Sequence, residues 1–242
     1  MVVILCKQAQ ESSDAKPELK KGTLTMDVDS MIKSCLINRI RLLGFFILLL
    51  KSKNKIQVYF PIFVAFAGNG KSVYNAWRTP SMWNEIPAFY PHIGRRFHLR
   101  SRFIDNWEKV KLVKLELFDK NKRVMWMTFN GKNTNNMNWF DKKNLADSSF
   151  NDLAPCSTFN VFSINGDLRN GWLDRRFLVN RSYAGCAQDY GWFVIADTYK
   201  PCKWEKRGSA PVFIYTRNNT PRNYNQDSDT AETMVISVLM DM

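Results

Sequence analysis

The chain predicts an all-β fold, an antiparallel β-sandwich for which a jelly roll is one candidate arrangement. Three observations lead there. After Trp77, short runs rich in β-branched and aromatic residues recur. Turn pairs such as Asn130-Gly131 and Asn165-Gly166 punctuate those runs. No long stretch repeats with the 3.6-residue period of an amphipathic helix. With 242 residues, 45% hydrophobic and 14% aromatic, the chain holds enough apolar material for one sizeable core.

The elements follow in order. Val110–Phe118 places Val113, Leu115 and Leu117 on one face of a strand and Lys114 and Glu116 on the other. Asp119-Lys120-Asn121-Lys122 reads as a turn, and Val124–Phe129 returns to complete a hairpin. Asp141–Ala146 is the one place that suggests a short helix. Phe159–Ile164, Arg176–Ser182, Trp192–Ala196, Val212–Thr216 and Met234–Leu239 supply further strands, making about seven. The polar segment 218–229 reads as a surface loop.

The first part of the chain reads differently. Residues 1–41 form a polar, flexible leader, low in aromatics and without period, which suggests an over-extended gene model. Lys33, Arg39 and Arg41 then precede the apolar run Leu42–Leu50. A second run, Ile56–Ala67, ends in the small-x-small triplet Ala65-Phe66-Ala67. A basic flank, a short apolar run and such a triplet are the layout of a secretory signal. Neither run reaches the roughly 20 residues of a membrane span. Residues 42–67 are therefore assigned to export, with a single-pass anchor or a buried core hairpin as alternatives. The sandwich domain is placed at 77–240.

Charge excludes little. The net +13 divides into ten basic against five acidic residues over 1–70, and 25 against 17 over 71–242. Nucleic-acid binders concentrate their basic residues on one stripe, and this scatter is read as a solvated surface with no nucleic-acid partner. Ala65 to Ser72 contains a loose phosphate-loop pattern ending Gly70-Lys71-Ser72. Only six residues separate Ser72 from Thr79-Pro80, and no strand–helix alternation follows. The match is set down to chance, and no cofactor is expected.

The search for chemistry finds no catalytic set. The chain has two histidines, His92 and His98, and no Cys-x-x-Cys spacing, so no metal site is expected. Cys186 and Cys202 lie near the outer ends of the two apolar runs within Arg175–Cys202, and they are expected to be joined as a disulfide. Loss of Cys6 and Cys35 with a cleaved leader would leave Cys156 over, which points to a disulfide-linked dimer. Asn180 and Asn218 begin glycosylation sequons, Asn218 in a loop and Asn180 in a strand. Trp107, Trp139, Trp172 and Trp204 lie near turns and are candidates to face a ligand, although aromatic residues of a sandwich are mostly core.

A set of blocks carries a resemblance: Pro91–Arg96, Ile104–Trp107, Phe129–Gly131, Met137–Phe140, Phe162–Asp167, Arg175–Cys186, Gly191–Asp197, Pro201–Lys206, Pro211–Tyr215 and the closing run from Thr230. Taken in order, these resemble the family called uncharacterised skeletal organic matrix protein 5, of stony corals and other cnidarians, over about 77–240. Ala184 and Glu232 depart from the expected Gly and Asp. The resemblance implies a secreted protein of an extracellular or skeletal matrix, with matrix components or glycans as partners and no catalytic residues to transfer. The function classes carried forward are a non-enzymatic matrix protein, a carbohydrate-binding module on the same fold, and a nucleotide-binding protein through Lys71.

Overall fold

In a computed structural model of the chain, the residues described are 50–52, 55–80, 96–153, 161–166, 173–182, 185–217 and 220–241. Residues 1–49 lie outside them, as do Trp172, Cys156 and Asn218, so the leader, the run beginning at Leu42 and the expectations on those three residues go unanswered here.

In chain order the strands are β1 (Leu50–Ser52), β2 (Lys55–Gln57), β3 (Phe60–Phe66), β4 (Leu99–Arg100), β5 (Val110–Asp119), β6 (Lys122–Asn130), β7 (Leu145–Ser148), β8 (Val161–Ser163), β9 (Arg175–Ser182), β10 (Tyr190–Ala196), β11 (Val212–Thr216), β12 (Arg222–Asn223), β13 (Ser228–Ala231) and β14 (Thr233–Met240). One short helix, α1 (Val73–Arg78), follows β3. Strands β1 and β2 pair with each other. The rest form two antiparallel sheets. The first runs β4-β3-β14-β5-β6-β7, and the second β13-β11-β10-β9-β8 with β12 added to β10.

The all-β sandwich is as expected. The order is not that of a jelly roll, because consecutive strands stay within one sheet as meanders, and β14 returns to insert between β3 and β5. The β5–β6 hairpin closes on Lys120 and Asn121, both at positive φ (46° and 65°), the backbone of a two-residue turn that matches strand twist.

Alternation along the strands builds the core between the sheets. Phe63 and Ala65 of β3, Val113, Leu115 and Leu117 of β5, and Met234 and Ile236 of β14 point inward from the first sheet. Phe177, Val179, Phe193, Ile195 and Phe213 meet them from the second. Trp77, Trp107 and Trp139 fill one part of that core, with ring centroids 6.0–6.2 Å apart. Their amphipathic rings need polar partners, and two have them. Trp77 Nε1 donates to the Asn136 carbonyl at 2.9 Å, and Trp107 Nε1 to Thr134 Oγ1 at 2.9 Å.

Four expectations are corrected. Ile56–Ala67 is not a segment outside the domain: Phe60–Phe66 is a strand of the first sheet, paired with β14 and β4. Ile62, Phe63, Val64 and Ala65 there are fully buried. The same apolar density that suits an export signal suits a strand covered on both faces. The domain thus starts upstream of Trp77. Asp141–Ala146 is one 3-10 turn, Lys142–Asn144, leading into β7 rather than a helix. Segment 218–229 is not all loop, because Ser228–Ala231 pairs with β11 through backbone hydrogen bonds that polar side chains do not prevent.

Candidate functional site

The inner face of the second sheet is apolar, and its outer face carries a separate small core. Leu178 of β9, Val194 and Ala196 of β10, and Val212 and Ile214 of β11 point outward and are covered by Cys202, Trp204 and Tyr224. The cover comes from the segment after β10, where Lys203–Glu205 forms one 3-10 turn, and from the segment after β12.

Arg175, at the start of β9, sits at the centre of this annex and is 2% exposed. Its Nε donates to Glu205 Oε1 at 2.6 Å, and its Nη2 to Asp189 Oδ2 at 2.8 Å and Cys202 Sγ at 3.1 Å. The guanidinium also lies 4.7 Å from the Trp204 ring centroid. The planar fork of arginine suits this site, since one side chain serves two carboxylates, a sulfur and a π-face. Burial by itself would lower the Arg175 pKa, but the Glu205 and Asp189 charges outweigh it and raise the pKa above its ordinary value. Glu205 is bound twice, its other oxygen accepting the Cys202 N–H at 2.7 Å. A guanidinium so compensated holds its proton and stays charged.

The network continues outward. Trp204 stacks on Tyr224 with centroids 4.7 Å apart, and the Tyr224 hydroxyl donates to Asn180 Oδ1 at 2.6 Å. Gly191 makes this possible, because a Cβ there would lie 2.4 Å from the Tyr224 hydroxyl and 2.5 Å from Asn180 Oδ1. Arg207 donates to the carbonyls of Ser228 and Tyr224, both at 2.6 Å. Cys186 and Cys202 are bonded, as the sequence led us to expect. The bond ties the exposed loop before β10 to the turn that holds Trp204 and Glu205. Asn225 Nδ2 donates to the Cys186 carbonyl at 2.7 Å, and Asn223 Nδ2 to that of Ala187 at 2.8 Å.

Gly70-Lys71-Ser72 does lead into a helix N-terminus, as the phosphate-loop pattern requires, but the place of a phosphate is filled from within. Asp197, at the end of β10, accepts from Ser72 Oγ at 2.5 Å, Val73 N at 2.7 Å and Tyr74 N at 3.2 Å. Burial raises its pKa, against the lowering effect of those three donors. Here α1 is a clasp between the end of β3 and the end of β10. Lys71 helps to fix the neighbouring His98, whose Nε2 lies 2.9 Å from the Lys71 carbonyl. His98 Nδ1 accepts the Phe66 N–H at 3.1 Å, so those partners assign the ring to the neutral Nε2–H tautomer. Burial lowers its pKa, more than the Lys71 hydrogen bond raises it.

The remaining sequence candidates divide as follows. Trp107 and Trp139 are in the main core and Trp204 in the annex, at 6%, 0% and 2% exposure, so none of them faces a ligand. Aromatic mass near a turn is as easily folded inward. Asn180 is fully buried and bonded to Tyr224, so it cannot present its amide for glycosylation in the folded state. Among the described residues, no group of three or more His, Cys, Asp or Glu side chains could hold a metal ion. No helix there is long and apolar enough to cross a membrane.

The residues that the sequence did not single out are Arg175, Asp189, Glu205, Tyr224 and Asp197. Apart from the Cys202 N–H that Glu205 accepts, the partners of these side chains stand 14 to 125 positions away, beyond any local pattern. No family model, curated protein or solved structure matches this chain.

Proposed function

We propose that the chain is a secreted, non-enzymatic protein of the extracellular or skeletal matrix type, in which the β-sandwich serves as an interaction or structural module. One observation supports this reading above the others: the Cys186–Cys202 disulfide is built into the outer face of the second sheet. Disulfides persist in oxidising compartments and are rare where thiols are kept reduced. The polar side chains around it are engaged with one another, which suits a scaffold better than a site of turnover. The resemblance to the skeletal organic matrix family points to the same compartment, and matrix components or glycans are the partners it suggests. Glycan contact through Trp107, Trp139 and Trp204 is dropped, because those rings are buried.

Export has one structural requirement. A cut after Ala67 would remove β3, so a cleavage compatible with the fold falls before Tyr59. The test is expression of the full chain with a C-terminal tag in a eukaryotic host. Recovery from the medium, with an N-terminus before Tyr59 and the Cys186–Cys202 bond formed, is the expected result. Retention in the cytosol with both thiols free would refute the proposal.

A further inference from the structure

We propose that the Cys186–Cys202 bond is a one-sided thiol-exchange site, at which an external low-molecular-weight thiol becomes attached to Cys186 and never to Cys202. The two sulfurs sit in opposite surroundings. Cys202 is 2% exposed, packed with Trp204, Leu178 and Val212 beneath the turn Lys203–Glu205. Cys186 belongs to an exposed loop, where Gly185 has open space around it.

Exchange demands that a thiolate approach along the S–S axis, behind the sulfur it attacks. Cys202 is buried in the annex core, whereas Cys186 lies in the exposed loop, so Cys186 is the sulfur that a thiolate can reach. The attacking thiolate therefore bonds to Cys186 Sγ, the S–S bond breaks, and its electron pair leaves with Cys202 Sγ. One disulfide is consumed and one is formed, so no further oxidant or reductant is needed.

The leaving sulfur is also provided for. Arg175 Nη2 already donates to Cys202 Sγ at 3.1 Å, and a cationic donor on a departing thiolate favours departure. Asp189 and Glu205 oppose it, each bound to the same guanidinium. The balance of these charges bears on the rate, and access together with the Arg175 contact to the leaving sulfur directs attack to Cys186. The mixed disulfide would detach the loop before β10 from the turn that carries Trp204 and place a covalent adduct on the surface. Such a site makes a reversible attachment point, a role beyond that of a bond that only holds the fold.

The test uses the full-length folded protein with its disulfide intact and reduced glutathione as the probe. After a short incubation in native buffer, the mixture is quenched in acid, unfolded in urea at that low pH, blocked with a maleimide and mapped by mass spectrometry. The site predicts glutathione on Cys186 and maleimide on Cys202, exceeding the reverse pattern by about tenfold or more. In urea the preference should vanish, because both sulfurs are then open. Glutathione on Cys202 to a similar extent under native conditions would overturn the proposal, as would the absence of any adduct until urea is added. A second measurement does not rely on exchange. In Cys186→Ser the remaining Cys202 should resist the maleimide, and in Cys202→Ser the remaining Cys186 should react readily; the reverse order would also overturn it.

Discussion

The two sheets are held in place by different means. The first rests on long ladders: β14 runs beside β3 on one side and β5 on the other over nearly its whole length, and the faces it presents inward are apolar. The second has an apolar inner face too, but its outer face is fastened by Arg175, Glu205, Asp189, the disulfide and the Tyr224–Asn180 bond. Apolar ladders are forgiving, because substitutions of similar volume leave burial intact. A buried charged network fails more sharply, since removing one member strands the others without solvent. Failure in the first sheet should therefore follow deleted strands, and failure in the second should follow single polar atoms.

The largest effect should come from cutting into the first sheet. A chain starting at Gly70 lacks β3, and with it the fully buried Ile62, Phe63, Val64 and Ala65. Fully burying each large apolar side chain is worth roughly 1.5–3 kcal/mol, so the loss rivals the roughly 5–15 kcal/mol that a whole domain has to spare. That chain should aggregate or show no cooperative unfolding, whereas one starting at Lys55 should unfold in a single urea transition. Equal behaviour of the two would move β3 out of the fold.

Next comes the second sheet. Glu205→Ala leaves the Arg175 Nε–H and the Cys202 N–H without an acceptor, and should cost about 3–5 kcal/mol. Replacing Arg175, Asp189 and Glu205 together by Met, Leu and Leu should cost less than the single change, because no buried charge is then left alone. Urea unfolding of both variants decides; a triple variant less stable than Glu205→Ala would mean that the charges themselves hold the face. Removing the disulfide in Cys186→Ser/Cys202→Ser should cost about 3 kcal/mol in the chain-entropy model, for a separation of 16 residues. The smallest effect is one of pH. His98 is buried neutral with its pKa lowered, so the unfolded chain takes up a proton first, near pH 6.5. Stability should be level above that value and fall as pH drops from about 6.5 to 5, a slope absent in His98→Gln. Asp197 has the opposite sign, its raised pKa favouring the folded state as pH falls further, so the measurement is kept above pH 5.

Where a strand announces itself by local composition, it was legible in the sequence. Val212–Thr216 matches β11 to the residue, since five β-branched and aromatic residues leave few alternatives. The β5–β6 hairpin was legible for the same reason, with its turn. β3 was not, because an apolar run ending in Ala65-Phe66-Ala67 meets the pattern of a signal and of a doubly covered strand alike. β13 was hidden by its polar residues, since what defines it is the backbone of β11 across from it. The disulfide could be read from two cysteines flanking strands. The arginine cluster could not, because the spacing of Arg175 and Glu205 follows from how the chain returns over the sheet, which no local period encodes. The same return buried Trp204, while Trp139, also beside a turn in the sequence, is buried in the main core.

We propose that this sandwich, whose second sheet is closed on its outer face by a disulfide, is exported. Non-reducing peptide mapping of the protein secreted by a eukaryotic host tests it most directly. The account predicts one linked peptide pair containing Cys186 and Cys202. Recovery of both as free thiols from folded, secreted protein would contradict it.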